Sequence, residues 1–115
     1  MAWQDLYPQL AGGVQPISDT LTVIATVEAG ANIYGTIFVV NISNDVTEKV
    51  RLALRPSGSP SVQDEQYILY DSDIEPNNIV QLSNIALNSG DSVVGWSDNG
   101  LAVFNVTGDE IRNYT

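Results

Sequence analysis

The stretch "IYGTIFVVNIS", residues 33–43, is the strongest constraint on what this chain can fold into. It is rich in β-branched and aromatic residues, which pack well on a pleated surface and lose rotamer freedom in a helix. Read at a period of two, Ile33, Ile37 and Val39 share one face while Tyr34, Phe38 and Val40 share the other. A strand that is apolar on both faces needs a cover on both.

The rest of the chain offers further strands. "TLTVIATV" (20–27), "EKVRLALRP" (48–56), "QYILYD" (66–71), "NIVQLSN" (78–84), "DSVVGWS" (91–97) and "LAVFNVT" (101–107) are strand-like runs separated by polar turn residues. In 48–56 the alternation is clean, with Val50, Leu52 and Leu54 against Lys49, Arg51 and Arg55. Asp98-Asn99-Gly100 predicts a tight hairpin joining the last two runs, because Asn-Gly tolerates positive φ. With turn signals roughly every 8–12 residues and no convincing helix, the reading is all-β: one antiparallel β-sandwich or jelly roll of about seven strands. Local signals do not order the strands.

The first nineteen residues read differently. Trp3, Leu6, Tyr7 and Leu10 are spaced as one helical face, but Pro8 sits inside that window and Gly12, Gly13 and Pro16 follow. The expectation is an irregular N-terminal docking arm over 1–19, with those four residues as anchors on a partner, followed by a β-domain over 20–115.

Composition narrows the chemistry. The 115 residues carry fourteen acids and four bases, a formal charge of −10. That balance disfavours nucleic acid, whose phosphates call for clustered Lys and Arg, and anionic membrane surfaces likewise. No apolar run approaches the ~20 residues needed to span a bilayer. Cysteine and histidine are absent, which removes disulfides, thiol nucleophiles, histidine-based catalytic pairs and the usual zinc and iron ligands. No cofactor and no enzymatic activity are expected, since every acid reads as lying in a turn or at a strand end.

Three groups remain as candidate sites. Lys49, Arg51 and Arg55 form a basic ridge on one strand, either a contact for an acidic partner such as a second copy of the chain, or a ridge that is solvated or met by local acids such as Asp64 and Glu65. Asp71, Asp73 and Glu75 alternate like the start of a calcium loop, although Pro76 stands where that loop needs glycine. Trp96 and Phe104, in the expected hairpin, read either as core or as a sugar-stacking pair. Tyr67 and Tyr70 should point to opposite faces of their strand, one to the core and one to the surface. Three N-x-S/T patterns begin at Asn41, Asn105 and Asn113 and carry little meaning without a secretory signal.

Five segments in order, "VVNIS" (39–43), "RLALRPSG" (51–58), "QYILYD" (66–71), "LNSGDSVVGW" (87–96) and "FNVTGDEI" (104–111), resemble a family of small all-β virion structural proteins of tailed bacteriophages, a cyanophage-like decoration or tail-associated family. The resemblance begins at Ile33 and leaves the arm outside it. It implies a non-enzymatic virion component made in the bacterial host cytoplasm, with other virion proteins as partners and no catalytic residues to inherit. The leading expectation is a capsid decoration or cement protein, a homo-oligomer docked on the major capsid protein through the arm. The alternatives are a tail, baseplate or fibre-attachment subunit with a glycan-binding face, and a calcium-dependent adhesin-like domain built on Asp71, Asp73 and Glu75.

Overall fold

The computed structural model describes residues 3–114, with side chains for residues 13–111. The described residues form eight strands: β1 (Trp3–Val14), β2 (Thr22–Thr26), β3 (Ala31–Asn41), β4 (Glu48–Arg55), β5 (Tyr67–Ile74), β6 (Ile79–Leu87), β7 (Ser92–Ser97) and β8 (Ala102–Tyr114). They form two four-stranded antiparallel sheets, ordered β1-β8-β3-β6 and β2-β7-β4-β5. Two sheets wound in this order are a jelly roll, which resolves the choice that local sequence signals left open.

The sheets face each other across a core that includes Ile37, Val39, Val50, Leu52, Ile74, Val93 and Phe104, each at most 2% exposed. The two-sided apolar pattern of residues 33–43 predicts a cover on both faces, but in β3, an inner strand of the first sheet, only one face meets the core. Ile37 and Val39 are fully buried, while Tyr34 on the opposite face is 52% exposed. Gly95 in β7 gives Phe104 its seat: a Cβ there would lie 3.0 Å from the Phe104 ring. Gly35 and Gly108 pair directly between β3 and β8, and a Cβ on either would run into the opposing backbone.

Two further expectations are corrected. Residues 3–14 are not irregular but form β1, an eighth strand, registered against β8 from Trp3↔Tyr114 to Val14↔Phe104 with an irregularity between Leu10 and Gly13. Pro8 is tolerated because β1 is an edge strand, where a missing N–H need not break the sheet. The boundary at residue 19 therefore separates no independent arm. The side chains of Trp3, Leu6, Tyr7 and Leu10 lie outside the described residues.

The second correction concerns Asp98-Asn99-Gly100. The turn is present, with Gly100 at φ 74°. Yet β7 and β8 do not pair: β7 lies between β2 and β4, and β8 between β1 and β3. The turn is a crossover between sheets, not a hairpin.

Candidate functional site

The outer face of the second sheet carries a stack of aromatic and cationic side chains, and irregular pairing of β5 builds it. Val50 pairs with Ser72 and Leu52 with Leu69, so Arg51 alone faces both Tyr70 and Asp71. This is a β-bulge, and Asp71 takes the left-handed conformation, φ 49°, that closes it. A second irregularity sets Ala53 against Tyr67 directly after Leu52 against Leu69. The strict alternation that would send Tyr67 and Tyr70 to opposite faces is thereby broken. Their rings instead meet edge-on at 5.0 Å and 82°.

Arg51 is the centre of this stack. Its guanidinium lies 4.3 Å from the Tyr70 ring centroid and 4.2 Å from that of Trp96, its registered neighbour on β7. Its Nε donates to Asp71 Oδ1 at 2.6 Å. That hydrogen bond, reinforced by the attraction of the opposite charges, raises the Arg51 pKa and holds the Asp71 carboxyl below its ordinary range. Trp96 is 7% exposed, and its indole N–H donates to Asp19 Oδ1 at 3.0 Å. A depression of ≈ 370 Å³ beside the stack is lined by Asp64, Tyr67 and Tyr70.

The basic ridge does lie on one face of β4, but neighbouring acids neutralise part of it. Lys49 Nζ donates to Asp73 Oδ1 at 3.0 Å, and this bond raises the lysine pKa. Arg51 is held by Asp71 as described, so the acids engaged come from β5 rather than being Asp64 and Glu65. Arg55 Nη2 donates to Ser92 Oγ at 3.5 Å.

The same bonds disperse the candidate calcium set. Asp71 and Asp73 face separate cations, and Glu75 Oε2 accepts from Thr47 Oγ1 at 3.3 Å. Among the described residues no cluster of three or more acids, histidines or cysteines is arranged to hold a metal ion. Trp96 and Phe104 also part company: Phe104 is fully buried between the sheets, while Trp96 stacks on the outer face of β7.

At one end of the sandwich a second arrangement escaped sequence reasoning. Four loops, 15–21, 42–47, 75–78 and 98–101, are tied side by side. Ser18 Oγ donates to Asp98 O at 2.6 Å, the Ile42 N–H to Leu101 O at 3.0 Å, and the Asn77 N–H to Ser43 O at 3.0 Å. Beneath them lie Asn41 and Glu48, both with no exposed surface. Asn41 Nδ2 donates to Val46 O at 2.7 Å and to Ile74 O at 2.9 Å. The first glycosylation pattern thus begins at a structural, inaccessible amide. Glu48 accepts from the N–H groups of Asn99 and Leu101 and from the Asn99 side-chain amide.

Glu48, and Glu110 at 6% exposure, correct the expectation that every acid sits in water at a turn or strand end. The only available sequence cue was the place of Glu48 at the start of an otherwise alternating strand. Ile17, Ile42 and Val46 stand exposed at this same loop end.

No protein-family model, no curated protein and no solved structure matches this chain.

Proposed function

We propose that this chain is a non-enzymatic structural component of a bacteriophage virion, a decoration protein seated on the capsid lattice. The observation that carries the reading is the strand order, β1-β8-β3-β6 against β2-β7-β4-β5. The jelly roll serves in viral capsid proteins and lectins alike, and supports function by analogy of fold. The five segments from Ile33 onward that resemble tailed-phage virion proteins point the same way. The net charge of −10 suits a protein that must stay dispersed before it assembles.

The described structure changes how docking would work. With Trp3–Val14 hydrogen-bonded along β8, the N-terminal segment offers a partner the outer edge of β1 rather than a loose tether. Such an edge can accept a further strand from a neighbouring subunit.

The test is the copy number of the chain per purified phage particle, measured by quantitative mass spectrometry against the major capsid protein. A count comparable to the number of capsid subunits is expected. A count matching a tail ring or fibre would move the protein there, and absence from particles would end the proposal.

A second reading, a tail, baseplate or fibre-attachment subunit with a glycan-binding face, is favoured by one specific observation. The Tyr67–Tyr70–Arg51–Trp96 stack places aromatic surface on the outside of a lectin-like sandwich. Low copy number together with glycan binding would select it.

A further inference from the structure

We infer that Tyr67, Tyr70 and Asp64 form a subsite for a neutral pyranose sugar on the outer face of the second sheet. The inference rests on the second reading above for its biological setting and adds the ligand class and the residues. Neither tyrosine serves the core between the sheets, and Tyr70 is 57% exposed. The exposed part of Tyr70 gains nothing from the core, yet this pair is held firmly. The rings brace each other at near right angles, and Arg51 covers Tyr70 at 4.3 Å.

The backbone also bends to produce the pair. Without the β5 irregularities, alternation would turn one tyrosine inward. The bulge instead places Asp71, a non-glycine residue, in a left-handed conformation. Local strain of this kind, set beside an exposed aromatic pair, is the pattern found where a strand re-aims side chains for recognition.

Asp64 supplies the polar half. It opens the 3-10 turn Asp64–Gln66, which Gln63 and Gln66 close on each other through reciprocal hydrogen bonds, the Gln63 N–H donating to Gln66 Oε1 at 2.9 Å. Together the three side chains line a depression of ≈ 370 Å³, at the small end of ligand pockets. A pyranose fits this chemistry. Its C–H face packs on an aromatic ring, and its hydroxyls donate to a carboxylate and exchange hydrogen bonds with phenolic O–H groups. Charge selects among sugars. Asp64 in the lining and a net charge of −10 repel sialic and uronic acids, and the nearby cation Arg51 is already engaged by Asp71.

The experiment is an NMR titration of the full chain, following backbone amides, with the methyl glycosides of glucose, galactose, mannose and N-acetylglucosamine, and in parallel with sialyllactose and choline. Shifts at residues 63–72 are expected with at least one neutral glycoside. Tyr70→Ala should weaken that binding about tenfold, and Asp64→Asn should weaken it several-fold. Tyr34→Ala, at a tyrosine 52% exposed on the other sheet, should leave binding unchanged.

Silence at 63–72 with every neutral glycoside overturns the inference. So does binding that ignores Tyr70→Ala and Asp64→Asn, or a response to sialyllactose or choline alone. Particle copy number reports separately on the virion reading. Glycoside binding by a chain absent from particles would end that reading and leave the subsite standing, and binding failure in a particle-borne chain would do the reverse.

Discussion

The carboxylate of Glu48 and the amide groups of Asn99 close the crossover between the two sheets. The Asn99 N–H is shared between the two carboxylate oxygens at 3.0 and 3.1 Å, and the Asn99 side-chain amide donates at 2.9 Å. Leu101 N–H adds a fourth contact at 2.8 Å. A carboxylate is the suitable acceptor because all its lone pairs face donors. Glu48→Gln would turn an NH2 group against some of those N–H groups. Its expected cost is roughly 2–4 kcal/mol, read as a lower urea midpoint at unchanged m-value. A loss below about 0.5 kcal/mol would mean that the turn holds without the carboxylate.

Arg51 shields Trp96. Removing the guanidinium strips both ring contacts and uncovers an indole now 7% exposed. In a Trp3→Phe background, so that Trp96 alone reports, Arg51→Ala should red-shift the tryptophan emission and increase its quenching by acrylamide. Two cation–π contacts imply a stability loss of roughly 1–2 kcal/mol. An unmoved spectrum would show that other groups cover the ring.

The Asp71–Arg51 pair has a definite acid signature. Because the folded-state pKa of Asp71 lies below its ordinary value of 3.8, the unfolded chain binds the proton more readily. The stabilisation is fully present above the unfolded pKa and disappears as pH falls through the lower, folded one. Wild type should exceed Asp71→Asn in stability at pH 6, with the gap narrowing below about pH 4 as the carboxyl protonates. A gap independent of pH would assign the effect to the bulge geometry instead.

Removing β1 should have a structural cost. A chain starting at Gln15 leaves the outer edge of β8 unpaired along most of its length. Exposed strand edges recruit other chains. The truncated protein is expected to self-associate with rising concentration, measured by light scattering, and to lose amide-exchange protection in β8. A monomer with an unchanged urea midpoint would show that β1 adds little to the fold.

Much of the sandwich is legible in the sequence because buried strands need β-branched runs. Val50, Leu52, Ile37 and Val39 fall in the core as their alternation predicts. β1 is hidden because it lacks that alternation and contains a proline that only an edge strand accepts. Asn99-Gly100 announces a turn but not which strands flank it, since positive φ serves a crossover as readily as a hairpin. The aromatic stack is the least legible feature: each residue inserted in a ladder reverses the side chains beyond it, and β5 has two such shifts that its alternation does not announce. The Arg51–Asp71 pair follows from the inserted residue opposite Arg51, whereas Lys49 and Asp73 are ordinary cross-strand partners.

The strand order also dictates when this protein can become a protein. Of the six strand pairings, only β4 with β5 joins neighbours in sequence, and β1 finds its partner in β8. On a ribosome, β1 and β3 therefore remain incomplete until β8 has emerged, and the second sheet, whose last strand β7 ends at Ser97, has no partner sheet to cover its apolar face before then. Contacts of such long reach make folding slow and late, then cooperative once the last strand arrives. A nascent chain stalled before residue 102 should remain protease-sensitive throughout, however many of its strands are already outside the tunnel.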